Sequence, residues 1–239
     1  MDATTMLAAF VAVVFSAWIQ GSVGFGYALV SAPLLALVAP DLVPGPIMLS
    51  SMVLSLASGY REREAIDRRG VTLALAGRIP GVVLGAGAMA WLPESTMNLV
   101  FGAVVLLAVL LSASGLRLAM SARNLVGAGF CSGVMGTMTS IGGPPIALVY
   151  QDSKGPELRA TLNTYFALGS AMSIPALALA GHFGREEFLH GMWLLPATAV
   201  GFACSGATRN FLDQGHTHSA VLAVASVSAL AVVVRTLFG

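Results

Sequence analysis

The residues best suited to chemistry lie in two stretches of similar build, Gln20-Gly-Ser-Val-Gly-Phe-Gly-Tyr-Ala-Leu-Val-Ser-Ala-Pro33 and Gly133-Val-Met-Gly-Thr-Met-Thr-Ser-Ile-Gly-Gly-Pro-Pro145. Glycine weakens a helix and proline removes a backbone donor, so each stretch is expected to break its helix and free backbone N–H and C=O groups. At a half-helix N-terminus such N–H groups carry about half a positive charge and face a ligand, which suits a small oxyanion. The candidate ligand-binding groups are Gln20, Gly21, Ser22, Gly24 and Gly26 in the first stretch, and Thr137, Thr139, Ser140, Gly142 and Gly143 in the second. Asn163 and Thr164, on the segment that follows, add amide and hydroxyl donors. The competing reading is that the glycines serve close helix packing and the hydroxyls bond their own backbone. That reading suits Gly85, Gly87 and Gly102, but not Gly142-Gly-Pro-Pro145, which cannot continue a regular helix.

Arg78 is the one basic residue well inside an apolar stretch. It lies about 12 Å along a helix from Gly70, with no acidic neighbour in sequence. A charge at that depth costs a few kcal/mol unless it faces a wet cavity, so Arg78 is expected either to attract an anion or to snorkel to the interface. All eleven acidic residues fall at segment ends or loops. Intramembrane carboxylates mark cation sites and proton relays, and their absence argues for an anionic solute.

These residues must be positioned by membrane helices. The 239 residues are 56% hydrophobic and 10% charged, with a net charge of +1, against roughly one-quarter charged in a soluble domain. About eight stretches approach the roughly 20 residues needed to span a bilayer, near 6–39, 43–60, 71–92, 96–115, 124–150, 161–181, 190–208 and 217–238. The expectation is an all-α polytopic membrane bundle forming a single domain over 1–239. The first and fifth stretches are too long for one plain span, and whether each crosses once or folds back as a hairpin is open. The N-terminus carries no basic n-region, so the first stretch is expected to be retained.

If each stretch crosses once, Arg61, Arg63, Arg68, Arg69, Arg117, Arg123, Arg185 and Arg235 share one side, and Lys154, Arg159 and Arg209 the other. The positive-inside rule then places both termini in the cytoplasm, in a bacterial inner membrane.

Self-similarity points to two repeats, about 6–115 and 124–238. Gly21, Gly24, Pro33 and Pro44 match Gly133, Gly136, Pro145 and Pro156 at an offset of about 112 residues, and Pro80 and Gly85 match Pro196 and Gly201 at about 116. Leu194 stands opposite Arg78, so a role for the arginine is asymmetric. Corresponding interrupted segments in two repeats are the best sequence pointer to a transporter's substrate site.

At Gly21-Ser-Val-Gly-Phe-Gly26 with Pro33, at Gly133-Val-Met-Gly136 with Ile141-Gly-Gly-Pro-Pro145, at Gly59-Tyr-Arg-Glu-Arg63 and at Ile79-Pro-Gly-Val-Val-Leu-Gly85, the chain resembles the sulfite exporter TauE/SafE family of membrane transporters. Gly24-Phe-Gly26 stands where the family has a glycine triplet. The resemblance implies transport of small anions such as sulfite, thiosulfate, organosulfonates or carboxylates.

Other classes fit less well. An intramembrane serine protease built on Cys131-Ser132-Gly133 or Cys204-Ser205-Gly206 lacks a histidine base at mid-depth, since His182, His190, His216 and His218 all map to segment ends. His216-x-His218 offers two metal ligands without a third, the two cysteines form no CxxC pair, and no cofactor motif is present. The lack of basic runs argues against nucleic acid. A scaffold or insertase-like subunit remains the alternative to a transporter, and a homo-oligomer is compatible with the sequence. The expected partners are therefore a small anionic solute and the lipid bilayer, and the expected mechanism is alternating access.

Overall fold

In a computed structural model, residues 2–114, 116, 118–153 and 155–212 are described; the last expected span, with His216, His218 and Arg235, lies outside them. The described residues form α1 (Ala3–Val23), α2 (Tyr27–Val38), α3 (Gly45–Arg61), α4 (Arg68–Trp91), α5 (Glu94–Ala113), α6 (Ala122–Thr139), α7 (Gly143–Val149), α8 (Gly155–Leu179) and α9 (Arg185–Leu212). They contain no strand. The two long stretches are each split in two, and the other described stretches are single helices.

Local sequence accounts for the boundaries. Asp2, Asp67 and Ser121 accept the N–H groups of Thr5, Gly70 and Asn124, capping α1, α4 and α6. The first break lies at Gly24-Phe25-Gly26, where both glycines take positive φ, 104° and 115°. Pro33 is not the break: it sits inside α2, because its fixed φ suits a helix and only one backbone bond is forfeited. The second break lies at Ser140-Ile141-Gly142, with Ser140 at φ 65°. Pro144 and Pro145 occupy the first turn of α7, where an N–H would have no intrahelical partner, so they start the helix without loss.

Helix directions follow from which residues touch. Gly201 of α9 faces Val14 and Ala17 of α1, and Gly21 faces Phe202 and Ser205, so α1 and α9 run the same way. Gly45 lies against Phe183 and Glu187, Gly191 against Leu49, and Arg61 against Ser205, so α3 shares that direction. Since α1 and α3 are parallel and consecutive, α2 and the following 3-10 turn carry the chain back. The stretch 6–39 is thus a helical hairpin, not a single crossing. α4 and α6 are also parallel to each other, with Ala74 against Gly129, Gly81 against Phe130 and Gly133, and Gly85 against Val134 and Thr137. α8 opposes α3, because Glu62 meets Arg159 and Gly59 meets Thr164. α6 and α7 form the second hairpin.

Two faces result. One gathers Gly21, Glu62, Asp67, Tyr150, Arg159 and Thr161. The other gathers Pro44, Met89, Ser140, His182 and Glu187.

The α4–α6 crossing shows how sequence sets approach. Gly77-x-x-x-Gly81 and Gly129-x-x-x-Gly133 bring the helices together until a Cβ at Gly77, Gly81, Gly129 or Gly133 would strike the partner backbone. Outside, Leu7, Val11, Phe15, Val83, Leu110 and Leu179 are exposed. Among the described residues, four helices, Ala3–Val23, Arg68–Trp91, Gly155–Leu179 and the Arg185–Gly206 part of α9, are long and apolar enough to cross a bilayer. Their exposed apolar surface is what lipid would cover. The chain is a multi-pass membrane protein with an all-helical bundle fold.

Candidate functional site

The two hairpin breaks line one cavity of about 40 Å³. That volume admits a few water-sized groups, room for a compact anion. Phe25 and Gly26 come from the first break, and Ser140, Ile141, Gly142, Gly143 and Pro144 from the second. Gln20, Ala28, Leu29, Met48, Ser51, Gly136, Phe166 and Ser170 complete the wall with Arg78.

Arg78 is 3% exposed, so it does not snorkel to the interface. Its guanidinium lies in a slot of glycines: a Cβ at Gly136 would stand 3.1 Å from Nη2, one at Gly142 3.4 Å from Nη1, and one at Gly169 closer still. Nη1 donates to Ser132 Oγ at 3.2 Å, and Ser132 Oγ donates to the Gly142 carbonyl at 2.5 Å. The ring of Tyr165 lies 5.0 Å from Cζ, a cation–π contact. Nε has no hydrogen-bond partner, and no carboxylate pairs with Arg78 among the described residues. A buried guanidinium with no carboxylate partner among the described residues, in a cavity wall, is electrostatically matched to an anion.

The first break is held by amide chemistry. Gln20 Nε2 donates to Ser55 Oγ at 2.9 Å and to Asn163 Oδ1 at 3.0 Å, while its Oε1 accepts from the Tyr27 N–H at 3.2 Å. Asn163 Nδ2 donates to the carbonyls of Gly24 and Arg159 at 3.0 and 2.8 Å. The second break is tied to the start of α3, with Ser140 Oγ donating to the Pro44 carbonyl at 2.7 Å. On the face that gathers Glu62, Arg159 makes a charge-assisted pair with that carboxylate, Nε to Oε2 at 2.9 Å, with side chains 4% and 11% exposed.

Of the residues singled out from sequence, Gln20, Gly26, Arg78, Ser140, Gly142 and Gly143 come together at the cavity. Asn163 is fully buried behind it. The others lie outside its lining. Gly21 packs on Phe202 and Ser205, and Gly24 packs on Arg159. Ser22 and Thr139 donate back to Trp18 and Met135, Thr137 pairs with Ser173, and Thr164 abuts Gly59. The apolar wall of Phe25, Met48, Ile141 and Phe166 carried no sequence signal beyond hydrophobicity. Ser132 stood out in the sequence only as a candidate nucleophile, and Gly169 only as a small residue. The Tyr27 N–H at the start of α2 is already taken by Gln20, and α7 has prolines at two of its first three positions. Helix ends therefore supply less of the positive potential than Arg78 does.

The model of the family described as Sulfite exporter TauE/SafE matches residues 9–232, nearly the whole chain. The chain belongs to the sulfite exporter TauE/SafE family. That family is one of membrane transporters and not of enzymes, and the serine-protease alternative is set aside with it. No curated protein and no solved structure matches the chain. As a TauE/SafE member, the protein is a membrane transporter whose two hairpins meet around a buried arginine.

Proposed function

We propose that the protein is a secondary transporter that moves a small anion of the sulfite, thiosulfate, organosulfonate or carboxylate class across the bacterial inner membrane by alternating access. The observation that carries this reading is Arg78, buried, without a carboxylate among the described residues, and facing a cavity formed by both hairpin breaks. An anion there would neutralise the guanidinium charge, with Ser170 and Ser51 in the lining as further donors.

Two inverted repeats support the mechanism. The sequence offsets pair α1 with α6, α2 with α7, α3 with α8 and α4 with α9, and each pair runs in opposite directions across the bundle. The packing of α1 on α9 is matched by α6 on α4, and α3 packs on its own counterpart α8. Inverted repeats with discontinuous helices around a central site are the architecture on which alternating access is commonly built. Rocking of one hairpin and its partners against the other would open the cavity to each face in turn. Glu62–Arg159 closes one face, and on the other Ser140 ties the second break to the Pro44 carbonyl; the offsets place Ile47 opposite Arg159.

The hairpins also change the expected orientation. The reading with cytoplasmic termini assumed single crossings. With the chain folding back, Arg61, Arg63, Arg68, Arg69, Arg123, Arg159 and Arg209 stand at one face and Arg185 at the other. The arginine-rich face is then cytoplasmic, and α1 begins on the opposite side.

The test is flux of radiolabelled sulfite, thiosulfate and a small organosulfonate into proteoliposomes holding purified protein. Saturable flux of one of them supports the reading. Absence of flux for every anion, under both a proton gradient and a membrane potential, rejects it in favour of a scaffold.

A further inference from the structure

Resting on the reading that this cavity holds the transported anion, we propose that the site selects by charge: it accepts a singly charged oxyanion bearing a small apolar group and discriminates against dianions. The charge balance of the wall leads there. Among the described lining residues Arg78 is the single ionised group, and Ser51 and Ser170 are neutral donors, since the hydrogens of Gln20 and Ser140 are spent on Ser55, Asn163 and the Pro44 carbonyl. One bound negative charge makes the cavity neutral. A second would lie in a buried site with no counter-charge, and such a charge is strongly disfavoured. A neutral solute of the same shape would leave the guanidinium uncompensated.

The remaining wall explains the apolar group. Phe25, Leu29, Met48, Ile141, Pro144 and Phe166 line the cavity together with the polar set. An oxyanion head can face Arg78 and the hydroxyls while a methyl-sized group faces these side chains. A fully oxygenated dianion would have to turn an oxygen toward them and leave it without a donor. The volume of about 40 Å³ limits that apolar group to something small.

Three compounds built on the same tetrahedral sulfur separate charge from shape: dimethyl sulfone is neutral, methanesulfonate carries one negative charge, and sulfate carries two. The experiment is uptake of labelled methanesulfonate by wild-type proteoliposomes, with unlabelled methanesulfonate, sulfate or dimethyl sulfone as competitor, repeated with labelled sulfate as the transported species. Methanesulfonate is expected to compete at a concentration at least tenfold below that needed for sulfate, and dimethyl sulfone not to compete. Sulfate competing as well as methanesulfonate, or entering faster, overturns charge selection while leaving the transporter reading intact. Flux of neither species, nor of sulfite, thiosulfate or a carboxylate, overturns both.

Discussion

Replacing Gly169 by alanine would move Arg78 without touching its charge. A Cβ at 169 would stand 2.7 Å from Arg78 Nη1 and nearer still to Nε and Cζ, where ordinary contact begins at 3.4–4 Å. The guanidinium must therefore shift by about 1 Å, and it can, because it is the end of a flexible side chain. Alanine is also better than glycine inside a helix by about 1 kcal/mol, so α8 loses little stability. A 1 Å misplacement of a positioning group costs on the order of 100-fold in rate in a tight site, and flux in Gly169→Ala is expected to fall by about that factor. The assay is the initial rate of labelled organosulfonate uptake at matched reconstitution, beside the thermal midpoint in detergent. Gly87→Ala is the control, since a Cβ there meets nothing within 4 Å. Gly169→Ala flux within twofold of wild type, with an unchanged midpoint, would refute the claim that the placement of Arg78 governs anion handling.

Other substitutions test the frame around the site. Glu62→Gln removes the carboxylate charge from its buried pair with Arg159 and is expected to destabilise the protein by about 3 kcal/mol, read as a lower thermal midpoint. Asn163→Ala leaves the Gly24 carbonyl without its side-chain donor and removes a partner of Gln20, at a cost of about 2 kcal/mol by chemical denaturation in detergent, with the first break loosened toward proteolysis. Gly77→Leu drives a side chain into the Val126 backbone of α6, which cannot retreat as a flexible side chain can. Loss of about 3 kcal/mol or failure to purify as a monodisperse species is expected there, whereas Gly87→Leu is expected to be tolerated.

Much of the fold was legible because its signals are local. Apolar runs of spanning length gave the helices, and clustered glycines marked both hairpin breaks within a few residues. Within the first stretch the break falls at its glycines and not at Pro33, because two positive-φ glycines turn the chain upstream of the proline. Helix direction was not legible, because an apolar run has the same composition whichever way it crosses. The hairpins emerge only from contacts such as Gly201 with Ala17 and Gly45 with Glu187. At the site, Arg78 was conspicuous as a lone charge in an apolar run. Its glycine slot was not, since Gly136, Gly142 and Gly169 come from α6, the second break and α8. Glu62 and Arg159 each read as an ordinary segment-end charge, and nothing in the sequence joins residues so far apart.

The central claim, that Arg78 holds the transported anion between the two hairpin breaks, is tested most directly by equilibrium binding of a labelled small organosulfonate to purified wild-type protein and to Arg78→Gln, with thermal midpoints measured in parallel. The account predicts saturable binding to wild type, lost or weakened at least 30-fold in the variant while the variant remains folded. Equal binding by a folded Arg78→Gln protein would contradict it and place the anion elsewhere.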